Sequence, residues 1–300
     1  MSPVTPLRPP ARVLAVAGSD SGGGAGIQAD LATIGAWGGY GMTAVTAVTA
    51  QNTQGVQAVH VLPADVVTAQ LEAVGADIGV DAVTIGMLGS VPVMHAVADW
   101  LEAARPPRVV LDPVMVASSG DRLTDAAGED AEAAWARLLS LADLVTPNVP
   151  ELAALTGRTL DEEDDPARAL AAAVAAARGL VAADGPVGRG GTVLVKGGHL
   201  PADAEGCLTD VLVGPQGETA VTAPRVGTRA THGTGCTLSS ALAVLAAGGR
   251  SWEEALRAAR PWLTRALRGA DGLGVGDRSR PTWHGPLDWR VPTDDDGRRA

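Results

Sequence analysis

Short runs of Val, Leu, Ile and Ala alternate along this chain with longer stretches whose apolar positions recur at helical spacing. The runs predict strands over residues 13–17, 42–47, 82–87, 109–112, 144–146 and 193–195. Between them the pattern predicts helices over 26–36, 64–74, 91–103, 126–139, 149–155 and 167–177. Strands that are apolar throughout, rather than at alternate residues, belong to a mostly parallel sheet covered by helices on both faces. Two further strands, near 210–213 and 219–223, flank Pro215, Gln216 and Gly217 and read as a hairpin at the sheet edge. Helices over 235–247 and 252–267 complete an α/β chain of three layers, helix, sheet, helix. No linker of different composition and no internal repeat divides it, so a single domain is expected over 12–290. A proline-rich arm at 1–11 precedes it, and a charged, disordered tail at 291–300 follows. The acidic run from Asp161 to Asp165 stands before a helix, where carboxylates oppose the positive helix end.

Composition narrows the function. A formal charge of -11 over 300 residues argues against a general nucleic-acid binder, which needs a basic face to displace counterions. A small phosphorylated ligand held with Mg²⁺ stays compatible with that charge. The uncharged stretch 31–63 is broken by Gly38, Gly39, Gly41 and repeated Thr and Gln, so it reads as buried sheet and loop rather than a membrane span. Cys207 and Cys236 are too few for a disulfide framework and no secretory signal precedes them, which points to the cytoplasm. The chain also uses residue types very unevenly: Phe is absent, Asn occurs only at 52 and 148, and Lys196 is the one lysine among 23 basic residues. A type this scarce persists where its chemistry is hard to replace, so these survivors carry weight.

Five clusters concentrate chemistry. The glycine-rich run from Gly18 to Gly26 follows the first strand and suits either a ligand loop or a tight turn. It has no Gly-Lys pair and Ile27 stands where a third fingerprint glycine would be, so a P-loop and a dinucleotide site are both disfavoured. Gln51 and Asn52 close a strand, where an amide that donates and accepts suits a heterocycle with an amine beside a ring nitrogen, or ties down a loop. Asn148 and Glu151 are three apart at a strand-to-helix junction, which fits Mg²⁺ and its waters or a capping box. Lys196 ends a buried strand before Gly197 and Gly198, poised as a compact charge for phosphate oxygens. The run Thr231, His232, Gly233, Thr234, Gly235, Cys236, Thr237 opens a long apolar helix. Its amides make an anion hole, and the helix field lowers the Cys236 thiol toward a thiolate, the alternative being a buried small hydrophobe.

Taken with 27–30 (Ile-Gln-Ala-Asp), 49–53 (Thr-Ala-Gln-Asn-Thr), 85–88 (Ile-Gly-Met-Leu) and 111–115 (Leu-Asp-Pro-Val-Met), these clusters resemble, in order and spacing, the hydroxymethylpyrimidine/phosphomethylpyrimidine kinases of thiamine biosynthesis. Those are ribokinase-like enzymes, and the resemblance runs from about Arg12 to Leu267. It implies transfer of the ATP γ-phosphate to 4-amino-5-hydroxymethyl-2-methylpyrimidine and then to its monophosphate. By the same resemblance, Gly18, Asp30, Gln51 and Met87 bind the aminopyrimidine and Cys236 acts as base. The amides of Gly233, Thr234, Gly235 and Cys236 stabilise the transferring phosphoryl group. Lys196 supports the ATP phosphates, while Asp112, Asn148 and Glu151 organise Mg²⁺, with Asp112 and Glu151 reaching it directly or through water. A stand-alone, cytoplasmic kinase is expected, a homo-oligomer and specifically a dimer, with no nucleic-acid or membrane partner. The chain departs from the pattern at Gly22, where serine is usual, at Ser118, where lysine is common, and in the loose match of 274–278 to a glycine-histidine segment. Rival readings are a pyridoxal kinase and a non-catalytic pyrimidine-binding protein.

Overall fold

A computed structural model describes residues 9–115, 128–160, 163–188 and 190–294. The strands are β1 (Arg12–Ser19), β2 (Tyr40–Asn52), β3 (Gly55–Val61), β4 (Ala82–Ile85), β5 (Val109–Leu111), β6 (Leu144–Val145), β7 (Thr192–Val195), β8 (Cys207–Gly214) and β9 (Gly217–Pro224). The helices are α1 (Gly26–Ala36), α2 (Ala64–Asp77), α3 (Val91–Ala104), α4 (Glu129–Leu141), α5 (Val149–Thr156), α6 (Pro166–Val181), α7 (Thr234–Ala247) and α8 (Trp252–Ala270).

All nine strands form one sheet in the order β3-β2-β1-β4-β5-β6-β7-β8-β9. The six from β2 to β7 in that order are parallel, and β3, β8 and β9 add antiparallel edges. Successive residues of the central strands enter opposite cores: Val13, Ala82, Val110, Leu144 and Leu194 pack with α1, α7 and α8, while Leu14, Val83, Val109, Val145 and Val193 pack with α2 to α6. Burial on both faces is why these strands are apolar at every position. The expected hairpin is β8–β9, paired from Cys207 opposite Pro224 to Gly214 opposite Gly217.

Two boundaries differ from expectation. The prediction omitted β3, whose side chains are mostly exposed because it pairs only along one edge of β2. At the other end, residues 291–294 are held on α8 rather than loose. Trp262 Nε1 donates to the Val291 carbonyl at 3.1 Å, Arg265 donates to that of Pro292 at 3.1 Å, and Arg265 pairs with Asp294 at 3.0 Å. No helix among the described residues is long and apolar enough to cross a membrane.

Candidate active site

The sheet order reverses about β1, which hydrogen-bonds to β2 on one side and β4 on the other, and ligands of open parallel sheets bind beyond the carboxyl ends of the strands near such a point. On that rim β1 ends at Gly18 and Ser19 and β2 at Gln51 and Asn52. Met87 follows β4, Asp112 follows β5, Thr146 follows β6 and Lys196 follows β7. A cavity of about 940 Å³ opens there, lined by Gly18, Gln51, Met87, Asp112, Asn148, Glu151, Lys196 and residues 233–236. That volume is at the upper end for a ligand cleft, enough for more than one small ring.

The glycine-rich loop is organised by Asp20. Its Oδ1 accepts from the Gly22 amide at 2.8 Å, its Oδ2 accepts from the Gly24 and Ala25 amides at 2.9 Å each, and Oδ2 also lies 2.8 Å from His232 Nε2. Ala25 is the N-cap of α1 and supplies no capping side chain, and Asp20 instead gathers the amides of the loop up to Ala25. Burial pushes the Asp20 carboxyl up, and the His232 contact with the loop amides outweighs it, holding the group below the ordinary carboxylate range. Gln51 stands beside this network, its amide 3.1 Å from Thr49 Oγ1 and 3.2 Å from His232 Nε2.

The opposite end holds the charges. Lys196 Nζ donates to Asp112 Oδ1 at 2.8 Å, with side chains only 12% and 4% exposed, and Thr146 Oγ1 donates to the same oxygen at 3.0 Å. Burial works against the ammonium, but Asp112 and Glu151 overcome it and raise its pKa. Asn148 and Glu151 form the capping box: Asn148 Oδ1 accepts from the Glu151 amide at 2.9 Å and Glu151 Oε2 accepts from the Asn148 amide at 2.8 Å. Burial, with Asp112 adding to it, pushes the Glu151 carboxyl up to about 7 against the pull of Lys196. Among the described residues, Asp112 Oδ2 and Glu151 Oε1 are left without a hydrogen-bond partner. No group of three or more His, Cys, Asp or Glu there could enclose a metal. Two hard oxygens with phosphate and water completing the shell is how Mg²⁺ is commonly held, so the donor set fits that ion.

Helix α7 begins at the junction of the two ends. Its N-cap Gly233 has φ +81° and lies where a Cβ would run into the Gly24 carbonyl, so the helix start sits against the glycine loop. A Cβ on Gly235 would approach Asp112 Oδ2 to 3.2 Å and Lys196 Nζ to 3.3 Å, so its absence leaves the charged pair close to the first turn. No side chain caps α7; the Thr234 amide donates to the Thr231 carbonyl at 3.3 Å, which leaves the Gly235 and Cys236 amides of the first turn for a ligand.

Two sequence expectations change here. Cys236 is not poised as a thiolate in the free chain: burial first, then Asp30 and Asp112, push its thiol well above the ordinary value, outweighing the Gly26 amide and Lys196. Asp30 does not line the cavity. It is 4% exposed, accepts from Ser240 Oγ at 2.6 Å and is pushed by burial up to about 8.

Sequence reasoning missed other members of the site. Asp20 and His232 lay inside quoted motifs, and the signal was the pairing of a lone acid among glycines with a histidine at a helix start. Asp210 and Arg260 gave no local signal. They form a buried pair at 2.7 Å, and Asp210 Oδ1 accepts from the Gly197 amide at 2.7 Å, pinning the turn after Lys196. Ser118 lies outside the described residues.

A buried ammonium, free hard carboxylate oxygens and an open helix start, set at the carboxyl rim of this sheet, define a ribokinase-like phosphotransferase. The chain belongs to the phosphomethylpyrimidine kinase family, whose sequence model matches residues 20–283. It is 48% identical over 275 residues to the hydroxymethylpyrimidine/phosphomethylpyrimidine kinase of Streptomyces coelicolor, a match covering 92% of this chain and 95% of that protein. It is 46% identical over 274 residues to the thiamine biosynthesis multifunctional protein ThiED of Corynebacterium efficiens, covering 91% of this chain and 35% of that protein. This chain thus spans about a third of that relative's length. The phosphomethylpyrimidine kinase structure from Clostridium difficile 630 superposes with TM-score 0.67 at 37% identity, over 86% of this chain and 99% of that one. Pyridoxal kinase from Staphylococcus aureus, in complex with pyridoxal, superposes with TM-score 0.75 at 28% identity, over 95% and 96%. Backbone similarity and sequence identity rank these two in opposite order, so the ring specificity is argued from side chains.

Proposed function

We propose that the protein transfers the γ-phosphate of ATP to the hydroxymethyl group of 4-amino-5-hydroxymethyl-2-methylpyrimidine, and then a second phosphate to the monophosphate, serving thiamine biosynthesis in the cytoplasm. The observation that carries this is the two-ended cavity, with the Gln51 amide at one end and the Lys196–Asp112 pair at the other. Gln51 offers a donor and an acceptor to the amine and adjacent ring nitrogen, while Gly18 and Met87 line the same wall. Lys196 and the opening amides of α7 face the phosphates and stabilise charge as it moves in transfer. Mg²⁺, when bound by Asp112 and Glu151 directly or through water, supplies charge neutralisation on the phosphate oxygens. Cys236 holds its proton in the free chain, so it takes the hydroxyl proton only after releasing its own to solvent. In the second transfer the acceptor is already an ionised phosphate, and the need for a base falls.

Pyridoxal phosphorylation is the second reading, favoured by the backbone match to pyridoxal kinase. A binding protein without catalysis is disfavoured by Lys196 and Cys236 facing the same cavity. An ATP-dependent assay offering the pyrimidine alcohol, its monophosphate and pyridoxal separately tests the proposal. Turnover of both pyrimidines is expected; turnover of pyridoxal alone would overturn it.

A further inference from the structure

The buried contacts of His232 bear on how Gln51 reads a ring. His232 is 3% exposed and follows the last loop before α7. Its Nε2 lies 2.8 Å from Asp20 Oδ2, which already accepts two backbone amides, and its Nδ1 is buried with no partner among the described residues. A bare Nε2 facing a carboxylate oxygen at that distance would set lone pair against lone pair, so Nε2 carries the hydrogen and donates. A second hydrogen on Nδ1 would be buried without an acceptor. The ring of His284, edge-on at 4.7 Å, is the other titratable group packed against it.

That assignment fixes Gln51. As placed, its Oε1 lies 3.1 Å from Thr49 Oγ1 and its Nε2 lies 3.2 Å from His232 Nε2. Thr49 Oγ1 has one hydrogen and gives it to the Ser19 carbonyl at 2.8 Å, so toward Gln51 it accepts. His232 Nε2–H can only donate. Each partner therefore requires the amide turned by 180°, an exchange of nearly isosteric ends that hydrogen-bond logic decides. The Gln51 NH₂ then donates to Thr49 and its carbonyl accepts from His232. One N–H on the Thr49 side and one oxygen lone pair on the His232 side are left for the cavity.

We propose that His232 is a specificity-determining positioning residue: its Nε2–H, shared by Asp20 and Gln51, locks the sense of the Gln51 amide. A ring must then place an acceptor nitrogen toward Thr49 and an amine toward His232. This rests on the aminopyrimidine reading of the cavity. A 4-oxo analogue reverses the pattern, with a carbonyl in place of the amine and N–H in place of the ring nitrogen, and the locked amide rejects it.

The test compares the wild type, His232→Gln, which keeps a side-chain N–H, and His232→Leu, on the pyrimidine alcohol and its 4-oxo analogue. In His232→Leu, the kcat/KM preference for the amine is expected to fall by about 10- to 100-fold, the range that one unpaired buried polar group costs. KM for ATP should not move, and His232→Gln should restore most of the preference. Equal losses on both substrates, with the preference intact, would overturn the proposal. Imidazole ¹⁵N–¹H correlation spectra of the ligand-free wild type read the tautomer independently of any turnover. Hydrogen on Nε2 is expected, and hydrogen on Nδ1 alone would overturn the lock even if the variants fail to fold. Failure of the wild type to phosphorylate either pyrimidine, with the Nε2–H tautomer present, would sink the substrate reading and leave the lock standing.

Discussion

The two ends of the cavity differ in how complete they are without ligand. At the ring end, Asp20 has both oxygens satisfied by loop amides and His232, and Gln51 is held by Thr49 and His232. At the phosphate end, Asp112, Glu151, Lys196 and Cys236 crowd together, two carboxylate oxygens lack partners among the described residues, and Glu151 and Cys236 are pushed toward their neutral forms. A finished hydrogen-bond network recognises a rigid, uncharged ring with little reorganisation. An unfinished set of charges is completed by phosphate and cation, which is how phosphoryl transfer is catalysed.

Four changes would break or sharpen that contrast. Lys196→Met removes the cation that pairs with Asp112 among the described residues, so kcat should fall on the order of 10³-fold while binding of the pyrimidine alcohol changes little. Steady-state kinetics with calorimetric titration of the alcohol checks both. Asp20→Asn replaces one acceptor oxygen by an NH₂ that faces another donor, and should cost about 3 kcal/mol in denaturant unfolding while weakening the alcohol. Cys236→Ala should slow the first transfer about 100-fold and the second by less than about tenfold, because only the hydroxyl needs a base. Equal losses in single-turnover measurements would remove Cys236 from that role.

The fourth change is read in pH. The Asp30 carboxyl is raised to about 8 from its ordinary 3.8, so the folded chain keeps a proton that the unfolded chain has lost. Its contribution to stability is intact below about pH 4 and declines as pH rises toward 8. Asp30→Asn, which carries no such proton, should flatten that decline in urea midpoints measured from pH 5 to 8, its difference from the wild type widening steadily as pH rises.

The same contrast explains what was legible in the sequence. Central strands announce themselves because burial on both faces makes every residue apolar, and α1 was predicted with the boundaries it has. Strand β3 did not, because exposure of successive residues on both faces leaves Gln57 and His60 among its apolar residues. Lys196 stood out because no other lysine exists in the chain, and Gln51 because a strand ends there. The field at a helix start suggested a thiolate at Cys236. Burial first, then Asp30 from α1 and Asp112 from the end of β5, reverse that, and such convergence is invisible along the chain. The Asp210–Arg260 pair escaped for the same reason, its members being joined only by packing of α8 on the sheet edge.

The most direct test of the difference between the two ends is calorimetric titration of the pyrimidine alcohol into wild-type protein freed of nucleotide and divalent cation. Saturable one-to-one binding, with an affinity changed less than about tenfold when Mg²⁺ and a non-hydrolysable ATP analogue are added, is the predicted result. Binding that emerges only after nucleotide and Mg²⁺ are present would contradict it, because the ring end would then be no more complete than the phosphate end.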